Sequence, residues 1–168
     1  MPEVKPNQKT RQVHVGSVAL GGGAPCVVQS MLNLSLQDIQ GNLDQIDRLA
    51  QAGCEVIRIA IPHKSDLAYF EEICAKSSLP VVADIHFSAE IAIEAARRGA
   101  AKLRINPGNI GGLEACIPVL NAAREAGIPI RIGVNAGSLD EELVARTDLS
   151  LSEKLVESAR GYVEFCYA

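Results

Sequence analysis

The chain has 168 residues, with 16 Lys and Arg against 20 Asp and Glu, so its formal net charge is −4. Hydrophobic residues make up 48% and charged residues 21%, which is typical of a folded globular domain and excludes a mainly disordered chain. The mild acidity and the 4% aromatic content argue against a nucleic-acid partner. The chain has no apolar run near the roughly 18 residues of a membrane helix and no signal core, so we expect a cytoplasmic protein without a membrane partner.

The cysteines number five, an odd count, and none of them forms a C-x-x-C pair. They are Cys26, Cys54, Cys74, Cys116 and Cys166. This pattern argues against a disulfide framework and against a zinc or iron–sulfur site built within this stretch. We therefore expect reduced thiols and no metal ligands in this chain.

The predicted elements begin after residues 1–9, which we expect to be flexible. Residues 12–20 predict a short hairpin that turns at Gly16-Ser17. Runs rich in Ile, Val and Leu predict buried strands at about 26–31, 54–60, 80–86, 101–106 and 129–134. Amphipathic spacing predicts helices over 38–52, 65–75, 88–96, 113–126 and 152–167, with Pro118 weakening or shifting the fourth.

Five strand–helix units in alternation predict a parallel α/β sheet. An eight-unit barrel typically needs about 250 residues, so the chain is either an open doubly wound sheet or an incomplete barrel. No Gly-x-Gly-x-x-Gly follows the first strand, which leaves the dinucleotide-binding version of the open sheet little support. In the barrel interpretation, the hairpin would cap the N-terminal end of the barrel.

Polar residues recur on one face of each predicted strand, near its C-terminal end, because side chains in a strand alternate between faces. From the first strand to the fifth they are Gln29, Arg58, Asp84 with His86, Arg104 with Asn106, and Arg131 with Asn135. In a closed barrel this face points into the lumen, and the C-terminal mouth is where barrel enzymes keep their active sites.

The charges at this mouth favour an anionic ligand, because three arginines stand against a single strand carboxylate, Asp84. Guanidinium groups match phosphate oxygens, asparagines add neutral donors, and the glycine-rich loop 107–112 leads into a helix start. Asp84 and His86 are too few for a metal site and fit contact with a substrate hydroxyl or proton transfer. The sequence therefore predicts a phosphate or diphosphate site.

Four motifs together carry a family resemblance. They are residues 28–31 (VQSM), 82–87 (VADIHF), 103–111 (LRINPGNIG) and 130–139 (IRIGVNAGSL). In this order and spacing the chain, from about Thr10 to its end, closely resembles the 4-hydroxy-3-methylbut-2-enyl diphosphate synthases of the non-mevalonate isoprenoid pathway.

The resemblance implies an N-terminal (β/α)8 TIM barrel and a C-terminal iron–sulfur domain in the complete protein. It implies reductive ring opening of 2-C-methyl-D-erythritol 2,4-cyclodiphosphate, with electrons from flavodoxin or ferredoxin passing through a [4Fe-4S] cluster in a homodimer. Residues 10–168 would be the N-terminal part of the substrate-binding barrel, without the cluster domain. The motif matches assign the diphosphate cradle to Arg58, Arg104, Asn106, Arg131 and Asn135, and the substrate's hydroxyl end to the catalytic pair Asp84 and His86.

Two departures from the family pattern limit what the resemblance implies. Leu32-Asn33-Leu34 stands where the family usually has Thr-Asn-Thr, and the chain ends after five βα units without the cysteines that hold the cluster. We expect this chain to be inactive alone. The alternatives are a non-catalytic anion-binding or assembly module, and another phosphate-handling barrel enzyme such as a pterin-binding relative.

Overall fold

The computed structural model of the chain describes residues 10–167, so the predicted flexible segment 1–9 lies outside the described residues. The first two strands, β1 (Val13–Val15) and β2 (Val18–Leu20), pair antiparallel with Val15 opposite Val18. This pairing confirms the predicted hairpin and its turn at Gly16-Ser17.

A parallel sheet of five strands follows the hairpin. Its strands are β3 (Gln29–Met31), β4 (Val56–Ala60), β5 (Val81–Asp84), β6 (Lys102–Ile105) and β7 (Ile130–Ile132). Their spatial order is their order in the chain. A doubly wound sheet would reverse its strand order at a switch point, so this order fits five consecutive units of an incomplete barrel.

Six helices accompany the strands in the described part of the chain. They are α1 (Ile39–Gln51), α2 (Leu67–Lys76), α3 (Ala89–Arg97), α4 (Gly112–Ala126), α5 (Glu141–Ala145) and α6 (Leu151–Tyr167). Short 3-10 turns lie at Lys64–Asp66, Pro107–Asn109 and Ala136–Ser138. The five predicted helices are present within a few residues of their expected bounds, and α5 was not predicted.

Local chemistry fixes where these helices begin. The Asp38 carboxylate accepts a hydrogen bond from the Gly41 N–H (3.0 Å), and the Ser88 hydroxyl accepts one from the Ile91 N–H (3.3 Å).

Helix α4 continues through Pro118, which is exposed. Solvent therefore reaches this side of the helix, where proline removes one backbone donor.

The two faces of the sheet are covered differently. Alternate strand residues, such as Ile57, Ala83 and Leu103, are fully buried in the core that packs against the helices. On the opposite face, Val56 and Val82 form a small cluster with Val15 of the hairpin. The hairpin thus covers the N-terminal end of the inner face, as predicted, and leaves the C-terminal end for a site. None of the helices in residues 10–167 has both the length and the hydropathy to cross a bilayer.

Candidate anion-binding site

The strand register brings the predicted polar residues together on the inner face. Asp84 of β5 is level with Arg104 of β6, and Arg104 is level with Arg131 of β7. Arg58 of β4 lies opposite Val82, two residues nearer the N-terminal end of β5 than Asp84. Since register partners in a sheet project to the same face, the inner-face grouping inferred from parity is confirmed for these four residues.

Asp84 lies at the centre of the group, with a fully buried side chain. The Arg104 Nη1 donates a hydrogen bond to Asp84 Oδ1 at 3.3 Å. The other carboxylate oxygen, Oδ2, lies 3.2 Å from Arg58 Nε and 3.3 Å from His86 Nε2, without the alignment of a hydrogen bond to either. One carboxylate thus organises two guanidinium groups and one imidazole.

This arrangement corrects one part of the charge argument. Arg58 and Arg104 are not unpaired, because both form ion pairs with Asp84. The pairing has a physical reason: the attraction between a buried carboxylate and the guanidinium groups beside it offsets part of the cost of removing these charges from water. Arg131, in contrast, is exposed, and no carboxylate among residues 10–167 pairs with it. The site retains an excess of positive charge, centred on β7.

Asn106 and Asn135 differ in their burial and in their hydrogen bonds. The Asn106 side chain is fully buried, and its Nδ2 donates to the Ser138 hydroxyl at 2.8 Å, while its Oδ1 has no partner in the described structure. Asn135 is exposed, and its backbone N–H donates to the same hydroxyl at 3.3 Å. The structure therefore favours a supporting role for Asn106 behind the site. Direct contact of either asparagine with a ligand stays a prediction.

Two glycines permit this packing. A β-carbon on Gly108 would collide with the Ser138 backbone carbonyl and lie 3.2 Å from Tyr162 Oη, so Gly108 joins two loops closely. A β-carbon on Gly133 would lie 2.8 Å from Arg104 Nη2. Gly133 thus leaves the space in which the Arg104 guanidinium lies. Within the glycine-rich loop 107–112, Gly108 is therefore required by the packing of the two loops.

A cavity of about 390 Å³ opens beside the inner-face group, at the ends of β3 and β4. It is lined by residues 32–37 together with Ile59, Ala60, Pro62, His63 and Asp66. Ala60 is level with Asp84, so the cavity adjoins the charged group. Leu32 is buried in the core, whereas Leu34 is 44% exposed, so of the two leucines that replace the family's threonines it is Leu34 that changes the exposed surface.

The described residues do not fit an iron–sulfur cluster. No group of three or more His, Cys, Asp or Glu side chains within residues 10–167 converges as metal ligands would. Burial raises the pKa of the Cys74 thiol to about 12 and that of Cys116 to about 11. A cluster needs about four converging ligands, usually thiolates. No reaction step can therefore be assigned to a cluster held by this chain.

Sequence reasoning missed two residues of the inner face. Lys102 shares strand parity with Arg104, two residues later, and is level with Val82 of the inner cluster. Gly133 shares parity with Arg131, but its role depends on where the Arg104 side chain lies. The two-residue spacing between Lys102 and Arg104 was enough to predict that Lys102 lies on the inner face. The role of Gly133 needed the pairing of β6 with β7.

Comparison with known proteins identifies close relatives. The chain is 46% identical over 157 residues to the 4-hydroxy-3-methylbut-2-en-1-yl diphosphate synthase (flavodoxin) of Aquifex aeolicus, covering 94% of this chain and 44% of that protein. It is 51% identical over 152 residues to the enzyme of the same name from Gluconobacter oxydans, covering 90% and 40%. The chain thus spans less than half the length of these curated relatives.

Solved structures support the fold. The dihydropteroate synthase of Yersinia pestis matches 93% of this chain and 57% of its own, with a TM-score of 0.65 at 17% identity. The 7,8-dihydropteroate synthase of Vibrio fischeri matches with a TM-score of 0.54 at 16% identity. At this identity the likeness concerns the fold alone. The family model described as the GcpE TIM-barrel domain matches residues 10–168, and the chain belongs to that family.

Proposed function

We propose that this chain forms part of the diphosphate-binding barrel of a cytoplasmic 4-hydroxy-3-methylbut-2-enyl diphosphate synthase. The observation that carries the proposal is the inner-face group, in which Arg131 has no carboxylate partner among the described residues and lies level with the Asp84–Arg104 pair. A diphosphate would supply the negative charge that this group lacks. The names of the close relatives support the same reaction.

The substrate would be 2-C-methyl-D-erythritol 2,4-cyclodiphosphate. Its conversion breaks the bond between a ring carbon and one diphosphate oxygen, and it removes a hydroxyl as water with the uptake of two electrons and two protons. A [4Fe-4S] cluster would deliver the electrons from flavodoxin or ferredoxin. Its ligands would come from a part of the homodimer outside this chain, because the described residues do not fit a cluster.

The residues of this chain would bind and orient the substrate. Arg131 and Arg104 would hold the diphosphate, and Arg58 would keep the Asp84 carboxylate in place. Asp84 Oδ2 accepts no hydrogen bond from any of residues 10–167, so it remains able to accept one from a substrate hydroxyl. His86 Nε2, 3.3 Å from this oxygen and on a half-exposed side chain, would donate a proton to the departing hydroxyl.

Calorimetric titration with the cyclic diphosphate tests the proposal in the full reading frame that contains this sequence, whatever its length. Arg131→Ala should weaken binding about 10- to 100-fold, because a hydrogen bond to a charged group contributes about 1.5–3 kcal/mol. Arg131 is the informative position, since Arg104→Ala would also leave Asp84 without its hydrogen-bond donor.

The matched control is Arg97→Ala, which removes an exposed arginine that pairs with Glu94 on the surface of α3. Its affinity for the cyclic diphosphate should equal that of the unaltered protein. Equal affinity in Arg131→Ala would refute the diphosphate cradle.

A further inference from the structure

Lys102 is a further cation on the inner face of the sheet. It begins β6 and is level with Val82, which is level in turn with Arg58 of β4. Val82 belongs to the inner cluster, so the same face of β6 carries Lys102 and Arg104. Two residues of a strand span about 6.6 Å. Lys102 therefore lies one level below the row of Asp84, Arg104 and Arg131.

The surroundings of Lys102 disfavour its charge. Burial lowers the pKa of its ammonium group, and the positive charges of Arg131 and Arg58 lower the pKa further. Since register partners project to the same face of a sheet, Lys102 projects to the same face as Val82 and Arg58. Among residues 10–167, Asp84 of β5, His86 just after it and Arg104 of β6 are the other titratable groups on this face.

Lys102 has no compensating carboxylate. No ion pair involves it within residues 10–167, and Asp84 is already engaged by Arg58, Arg104 and His86. Among the described residues, the inner face thus carries four cations, Arg58, Lys102, Arg104 and Arg131, against one carboxylate. A half-buried ammonium group without a partner is costly unless an anion binds beside it.

We propose that Lys102 is a ligand-binding residue that contacts the bound diphosphate from the deeper side of the site. The inference rests on the proposed function, because it assigns one more residue to that diphosphate site. The four-carbon stem of Lys102 is flexible enough for the compact ammonium charge to move toward the ligand. Arg131 and Arg104 then bind the diphosphate at the mouth, and Lys102 binds it from below.

Titration calorimetry with inorganic diphosphate tests this inference in the full reading frame. Lys102→Met, which keeps the length of the side chain and removes its charge, should weaken binding about 10- to 100-fold, the loss expected for one hydrogen bond to a charged group. Lys102→Arg should retain most of the affinity. The matched control is Lys64→Met, since Lys64 is an exposed lysine that pairs with Glu90 on the surface.

Lysine methylation provides a second readout that a merely structural role would not change. Saturating diphosphate should protect Lys102 from reductive methylation in proportion to occupancy, while Lys64 and Lys76 methylate equally with and without the ligand. Unprotected Lys102 at saturation, or unchanged affinity in Lys102→Met beside a weakened Arg131→Ala, would overturn this inference and leave the proposed function standing. Absence of diphosphate binding in the unaltered protein would overturn both.

Discussion

At the scale of single residues, the position of Arg104 depends on a neighbour that has no side chain. A β-carbon on Gly133 would lie 2.8 Å from Nη2 and 2.9 Å from Nε of Arg104, too close for both groups to keep their positions. From that position Arg104 donates to Asp84 and lies level with Arg131. Gly133 therefore positions a charged group without contacting any ligand itself.

Gly133→Ala should displace the Arg104 guanidinium and weaken diphosphate binding about 10- to 100-fold, the loss of one hydrogen bond to a charged group. Gly161→Ala is the matched control, because its β-carbon would meet nothing within 4 Å on an exposed part of α6. Titration calorimetry on both variants measures the effect. Equal affinities would show that Arg104 accommodates the methyl group without leaving the site.

Thiol reactivity should follow burial. Burial raises the pKa of Cys116 from 9.0 to about 11, with a smaller contribution from Cys166, whereas Cys26 is exposed. Because the thiolate is the reactive form, iodoacetamide at pH 8 should modify Cys26 in the native chain and leave Cys116 intact. Mass spectrometry of the modified peptides measures this. Modification of Cys116 at the rate of Cys26 would contradict the burial.

The same raised pKa gives a direction for stability. Between pH 9 and about 11 the Cys116 thiol releases its proton in the unfolded chain but keeps it in the folded chain. The free energy of unfolding should therefore fall as pH rises through this range. Urea titrations at pH 8 and pH 10 compare the two conditions, and Cys116→Ala should show a smaller difference between them.

At the scale of elements, one buried side chain holds the loop between β3 and α1. Asn42 is 1% exposed, and its Nδ2 donates to the backbone carbonyls of Ser35 (2.7 Å) and Asp38 (2.8 Å). These bonds join the first turns of α1 to the loop that lines the cavity. The shape of the cavity wall thus depends on a residue outside the charged group.

Asn42→Ala should lower the free energy of unfolding by about 1–3 kcal/mol, because the two hydrogen bonds that its buried amide donates to Ser35 and Asp38 are lost. Asn121→Ala is the control, since Asn121 is an exposed asparagine of α4. Urea unfolding followed by circular dichroism measures both variants. A loss in Asn42→Ala no larger than in Asn121→Ala would show that the loop is held by other contacts.

Periodicity predicted the elements and their faces, but not the contacts between them. The two-residue alternation placed Arg58, Asp84 and Arg104 on one face, because strand geometry alone determines it. The Arg58–Asp84 ion pair depends on the register between strands, which a single sequence does not specify. Helix α5 has five residues, too few for a helical period to be recognised.

At the scale of the whole molecule, the sheet has two open edges. β3 and β7 each pair on one side only within the described structure, and the inner face is covered by the hairpin only at its N-terminal end. Barrels of this family type draw their interior layers from eight strands. Unpaired strand edges promote pairing with other chains.

The 168-residue chain should therefore oligomerise or aggregate when produced alone. Size exclusion with light scattering measures the mass of the species present. A monodisperse species near 17.8 kDa that unfolds cooperatively on heating would contradict this prediction. Such a result would show that five units are stable as an independent open sheet.

The central claim is that the inner face of this sheet binds a diphosphate. A crystal structure of the full reading frame with 2-C-methyl-D-erythritol 2,4-cyclodiphosphate tests it most directly. We expect phosphate oxygens about 3 Å from the guanidinium nitrogens of Arg131 and Arg104, with a substrate hydroxyl beside Asp84 Oδ2. A diphosphate bound elsewhere, with Arg131 still exposed to solvent, would show that the inner face is not the diphosphate site.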